Sequence, residues 1–121
     1  MNEITKDSLN EQYPSIFTDT FRGFEIPDGW LALLAATCKQ IQVHIDATPG
    51  VPQLEALQVK SKFGLMRFYR QGGDAYCDGV ISMSEAVSRT LCELCGNKGT
   101  QLKTRGWIIV RCTAHLNVDN F

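Results

Sequence analysis

Residues 91–116 read LCELCGNKGTQLKTRGWIIVRCTAHL. Two residues separate Cys92 from Cys95, two separate Cys112 from His115, and sixteen lie between the pairs. A pair with this spacing bends both side chains onto one ion, and Gly96 gives the backbone freedom for the turn. Two such pairs a hairpin's length apart are the pattern of a zinc ribbon or knuckle. Zinc takes four ligands in a tetrahedron, and three thiolates with one imidazole supply them. Cys92, Cys95, Cys112 and His115 are therefore the expected ligands, with residues 92–116 as a zinc-binding subregion. Iron is the competing ion for a sulfur-rich, four-coordinate site.

Four protein ligands close the shell, whereas a catalytic zinc keeps one position for water. The expectation is thus a structural Zn2+. A zinc deaminase would need His-x-Glu followed by Pro-Cys-x-x-Cys. This chain has His44-Ile45-Asp46, and Thr90-Leu91 precede Cys92, so that chemistry is rejected.

Between the pairs, TQLKTRGWIIVRC reads as a hairpin turning near Arg105–Gly106, and a final turn carries His115. Upstream, LEALQVKSKFGLMRFYRQGG reads as a central hairpin, with Leu57 and Val59 alternating and Gly64 at the turn or bulge. Ser82 and Glu85 stand in capping-box spacing, which predicts a helix from Ser82 with Val80, Met83, Val87 and Leu91 on one face. DAYCDG before it reads as a loop holding Cys77, where Asp74 and Asp78 raise the thiol pKa. The strongest helix starts at Trp30, capped by Asp28, with Leu34, Cys38, Ile41 and Ile45 at helical spacing. It ends before Thr48-Pro49-Gly50. In the first 25 residues Pro14 divides a helical stretch into two short turns. The expected fold is α+β. One compact domain over residues 1–121 holds a long helix, a central hairpin, a second helix and a zinc-ribbon or knuckle hairpin.

Composition narrows the class. The chain has 121 residues, 44% hydrophobic and 21% charged, ordinary for a globular domain with a core of its own. Its longest apolar run, Trp30–Ala36, is too short to span a bilayer, and residues 1–14 lack a secretory pattern. Five cysteines without an export signal point to a reducing cytoplasm, to metal and to free thiols. Net charge is −1, yet residues 1–55 carry eight acidic and three basic side chains, and residues 56–121 five and nine. The halves either pack against each other or leave a basic face exposed. Cys38 reads as a buried small hydrophobe and His44 as a boundary residue without a catalytic partner. No phosphate loop, dinucleotide fingerprint or nucleophile elbow is present, and no small-molecule substrate is inferred.

KSKFGLMRFYR is the stretch with nucleic-acid character, because cations alternate with aromatics that stack on bases when exposed. The simpler expectation turns the aromatics inward and the cations to water.

The order of DGW (28–30), QVKSKFGLMRFY (58–69), TLCELCG (90–96) and GWIIVRC (106–112) with His115 resembles a group of small uncharacterised proteins. They come from bacteria and their phages, and in them a QVKEKFGGLRFY-like stretch precedes a CxxCG…GW…C zinc knuckle. Leu65–Met66 depart from the pattern, where a second glycine is commoner. The resemblance spans roughly residues 28–116. It implies the four metal ligands, one compact domain and a phage or mobile-element setting, and it implies no activity.

The expected function is a non-enzymatic, zinc-stabilised binding protein of a bacterial cytoplasm. It would act through a rigid surface on a protein or nucleoprotein complex, as an inhibitor of host machinery such as an immune nuclease complex. The expected contact set is Lys60, Lys62, Arg67, Tyr69, Arg70, Lys103 and Arg105. The alternatives are a nucleic-acid-binding accessory protein that uses the basic hairpins, and an enzyme whose site only the fold assembles.

Overall fold

The computed structural model describes residues 4–116. Within these residues three α-helices and two small sheets make a mixed α+β fold. Helix α1 (Lys6–Gln12) opens with a reciprocal cap, in which Thr5 and Ser8 each satisfy the other's backbone N–H. The chain turns at Pro14–Ser15, as expected, and reaches a two-residue strand β1 (Phe24–Glu25).

Helix α2 (Leu31–Ala47) buries Leu31, Leu34, Thr37, Cys38 and Ile41, close to the face its spacing predicts. Asp28 does not cap it. A 3-10 turn over Asp28–Trp30 leads into the helix without a side-chain cap. The N–H groups there are already taken: Gly29 donates to the Glu93 carbonyl, Trp30 to Pro27 and Leu31 to Asp28.

Strands β2 (Glu55–Lys62) and β3 (Leu65–Gln71) form the central hairpin, and β1 joins β2 in parallel with Phe24 beside Val59. Leu57 breaks the expected alternation. A register shift between Ala56 and Gln58 makes Ala56 and Val59 the buried pair, while the Leu57 carbonyl accepts from Arg22.

Helix α3 (Ala75–Ser88) begins seven residues before the position expected. Asp74 is the cap, accepting from the Cys77 N–H, so Cys77 is a buried helical residue and not a loop residue. The buried face is Cys77, Ile81, Ser84 and Ser88, and Met83 is exposed. Ser84 is inside because its Oγ lies 2.6 Å from Thr37 Oγ1 on α2, and Ser88 because β3 is a sheet edge with unpaired N–H groups. Ser88 Oγ accepts from Met66 N at 2.8 Å and Glu85 Oε2 accepts from Phe68 N at 2.9 Å. Glu85 thus covers a strand edge instead of closing a capping box.

Strands β4 (Thr100–Thr104) and β5 (Trp107–Arg111) form the second sheet, and a 3-10 turn over Thr113–His115 follows. One buried cluster runs from Leu9 through Trp30, Leu34, Val59 and Phe68 to Val110. Among the described residues no helix is long and apolar enough to cross a membrane.

Candidate functional site

The two halves of the cysteine pattern meet. The ligand atoms of Cys92, Cys95, Cys112 and His115 all lie within 4.8 Å of one another, an arrangement that can hold a metal ion. His115 Nδ1 is 3.1 Å from Cys112 Sγ and 3.6 Å from Cys92 Sγ, and Cys95 Sγ is 3.6 Å from Cys112 Sγ. Local turns set this geometry. Gly96 N donates to Cys92 O with Gly96 at φ 80°, and His115 N donates to Cys112 O. Burial pushes the Cys92 thiol pKa up, but N–H groups of Cys112, Leu94 and Cys95 outweigh it and set the group at about 6. Asn97 lowers the Cys95 thiol, yet burial and the neighbouring Cys112 and Cys92 raise it on balance. Crowded thiols oppose one another's ionisation, and a bound cation removes that conflict.

The DGW stretch is the socket for this cluster. Gly29 N donates to Glu93 O at 2.8 Å, and the Trp30 indole donates to Leu91 O at 3.0 Å. A Cβ on Gly29 would collide with the carbonyl oxygens of Cys92 and Glu93. Glu93 ties the socket to β5: its backbone N donates to Val110 O and its carboxylate accepts from Val110 N. Burial raises the Glu93 pKa, against Val110 N–H and Arg111, which lower it. Gly29 and Trp30 dock the site onto the start of the long helix, a role that the sequence did not reveal.

The hairpin tips come together. The Gln101 amide donates to Gly64 O, and a Cβ on Gly64 would strike the Ile108 side chain. Between the tips lies a cleft of about 470 Å³, lined by Lys60, Lys62, Phe63, Arg105, Trp107 and Ile108 among others. Phe63 is 70% and Trp107 66% exposed. Phe68, by contrast, is buried, so the aromatics of KSKFGLMRFYR divide between core and solvent. Trp107 was absent from the expected contact set, although a residue directly after an Arg-Gly turn has little room to be buried.

Of that set, the structure brings Lys60, Lys62, Arg67 and Tyr69 onto the outer side of β2–β3, where Lys60 stands opposite Arg67 and Gln58 opposite Tyr69. Arg105 sits at the second turn, and Lys103 pairs with Ile108 across β4–β5. Arg70 is separated from them. It points to α3, 3.0 Å from Asp78, and also donates to Phe68 O. The ion pairs Arg70–Asp78 and Arg111–Glu93 both lie inside the basic half, which therefore supplies part of its own neutralisation.

His44 has partners that sequence did not foresee. It stacks on Tyr76 with ring centroids 4.0 Å apart, and its Nε2 lies 2.8 Å from Asp74 Oδ2. Hydrogen bonds from His44 and from Cys77 hold the Asp74 carboxyl down at about 2. The group ties the end of α2 to the start of α3. Cys38 and Cys77 are buried thiols; burial raises both, Cys38 to about 12, and neither is poised as a nucleophile. Comparison of the chain with protein-family models, with curated proteins and with solved structures gives no match.

Proposed function

We propose that this chain is a non-enzymatic binding protein, with its C-terminal hairpin braced by a structural zinc ion and its two hairpin tips presented as one rigid surface to a macromolecular partner. The carrying observation is at the tips. Two large aromatic side chains with no part in the core stand exposed beside cations, where a folded monomer gains nothing from them. Exposed Trp with neighbouring Arg is the composition of interface anchors.

Zinc is supported by distance. With Zn–S near 2.3 Å and Zn–N near 2.0–2.1 Å, tetrahedral edges are about 3.8 Å between sulfurs and about 3.6 Å between sulfur and nitrogen. The two separations of 3.6 Å lie close to those edges, and the third, 3.1 Å between Cys112 Sγ and His115 Nδ1, is shorter. Two Cys/His pairs flanking a hairpin fit a zinc ribbon. The closed Cys3His shell leaves the ion to hold structure, linking Leu91–Gly96 to Cys112–His115.

In the phage or mobile-element setting that the sequence resemblance implies, such a surface serves as an inhibitor of host machinery in the cytoplasm. The test is site-specific photocrosslinking in bacterial cells, with a photoreactive phenylalanine placed at Trp107 or, as control, at the exposed Met83. The expected result is discrete adducts from position 107 only, with one zinc per purified chain by elemental mass spectrometry. Adducts from Met83 alone, or a metal-free native protein, would overturn the reading.

A further inference from the structure

We propose that the cleft between the two hairpin tips binds single-stranded nucleic acid, with bases stacked on Phe63 and Trp107 and phosphates met by Lys60, Lys62 and Arg105. The inference deepens the reading above and rests on the tips being the contact surface.

Charge comes first. No carboxylate is among the described residues that line the cleft. Lys60 and Arg67 stand directly opposite each other on β2 and β3, and like charges in that relation destabilise a sheet. Among the described residues, neither they nor Lys62 forms an ion pair. Glu25, beside Lys60 in register on β1, is hydrogen-bonded by Gln58 instead. Lys60, Lys62 and Arg67 repel one another without an ion pair among the described residues, and a phosphate chain supplies counter-charge.

Shape comes second. Phe63 presents its ring to solvent with Lys62 Nζ 5.6 Å from the ring centroid. Trp107 lines the same cleft beside Arg105. Flat rings alternating with cations match the alternation of base and phosphate along an unpaired strand. An acidic peptide would satisfy the cations and leave both rings without flat partners. A duplex hides its base faces, so it would meet only the cations.

Backbone strain comes third. Phe63 adopts φ 55° and Arg105 φ 49°, the left-handed region where Asn or Gly is the usual hairpin residue. A bulky residue there is uncommon, and such outliers persist where the side chain is used. Both tips carry one, and both side chains reach the same cleft. The walls are fixed by the Gln101–Gly64 bond and the Gly64–Ile108 contact, so the site is formed before the ligand arrives.

The test uses the full metal-loaded chain and fluorescently labelled oligo-dT and oligo-U of about 12 nucleotides, read by anisotropy. Binding is expected to be salt-dependent, with a slope near −2 in log affinity against log salt for about three phosphate contacts. Phe63→Ala and Trp107→Ala should each weaken it about 10-fold or more, with zinc content and circular dichroism unchanged. Lys60→Glu with Lys62→Glu should abolish it, and duplex should compete poorly. Affinity weaker than about 100 μM at low salt would overturn the inference, as would binding indifferent to the tip variants. If oligonucleotides fail while position 107 still crosslinks a protein, only this inference falls. If both fail, the contact surface itself is misassigned.

Discussion

Hairpins β2–β3 and β4–β5 both reverse through two residues in the left-handed region, Phe63–Gly64 in one and Arg105–Gly106 in the other. Beyond the turn they are held by different means. The first buries Ala56, Val59, Met66 and Phe68 and gains a third strand and a helix along its edge. The second buries Ile109, Val110 and Arg111 and, among the described residues, has no further strand. A lone two-stranded hairpin is marginal in water. Its base is instead gathered into the Cys3His cluster and docked through Leu91 and Glu93 onto Gly29 and Trp30. The comparison teaches that one local turn design can be stabilised by burial or by a cysteine–histidine cluster that can hold a metal ion, and that each choice leaves a different weak point.

Removing the metal should produce the largest effect and sort the two hairpins at once. Structural zinc contributes on the order of 10 kcal/mol in small domains, and the zinc proposed here would confine that energy to one sheet. Chelation, or Cys112→Ala, should collapse hydrogen-exchange protection in Thr100–Arg111 and leave Glu55–Gln71 protected. Simultaneous loss in both would mean that the core does not hold the first hairpin by itself.

Phe68→Ala attacks the other support. The side chain is 1% exposed, and emptying such a site costs about 3–5 kcal/mol. The denaturation midpoint should fall accordingly, while zinc stoichiometry under native conditions stays at one. A variant that loses metal before it loses helix would show that the cluster depends on the core more than the geometry implies.

How much of this could be read from sequence follows the same division. The clustering of the cysteine–histidine pairs, both turns and α2 were legible, because each depends on residues near one another in the chain: Cys-x2-Cys, Gly64, Arg105-Gly106 and the Trp30–Ile45 spacing. What was hidden depends on distant partners. Strand β1 is two residues long and exists only because Val59 and Lys60 lie beside it. The face of α3 was misread because Ser84 and Ser88 are polar yet buried, one against Thr37 and the other on Met66 N. Glu85 looked like a cap because nothing local reveals the open edge of β3. Gly29 likewise shows its purpose only when the Cys92 and Glu93 carbonyls are placed against it.

Ser88→Ala tests that edge. It would strand the buried Met66 N–H, a loss of about 1–3 kcal/mol, and exchange at Met66 should rise ahead of its neighbours. No change at Met66 would mean water reaches the edge and the serine is replaceable. Acid then separates the hairpins by a gentler route. Asp74 sits lowered, at about 2, against an unfolded value of about 3.9. Its contribution is fully present above the unfolded value and is lost as pH falls through the folded one. The melting-temperature gap between native protein and Asp74→Asn should therefore narrow as pH falls below about 5 and close by about pH 2. Metal ligation requires deprotonated ligands, so β4–β5 should lose protection at a higher pH than α3 does. A gap that widens on acidification would refute the sign.

The smallest effect carries the sharpest contrast between fold and function. Phe63 is held at φ 55° and 70% exposed, so the native fold gains little from its ring and bears the strain of its backbone. Phe63→Asn puts a residue suited to that conformation on the same turn and should stabilise the first hairpin by about 1 kcal/mol. The same change removes a stacking surface from the cleft and should weaken oligonucleotide binding. Stability and binding then move in opposite directions, as expected where a strained residue is retained for what it touches. If binding rises as well, Phe63 is no stacking surface and the cleft has lost one of its two rings; if stability falls, the phenylalanine belongs to the fold after all.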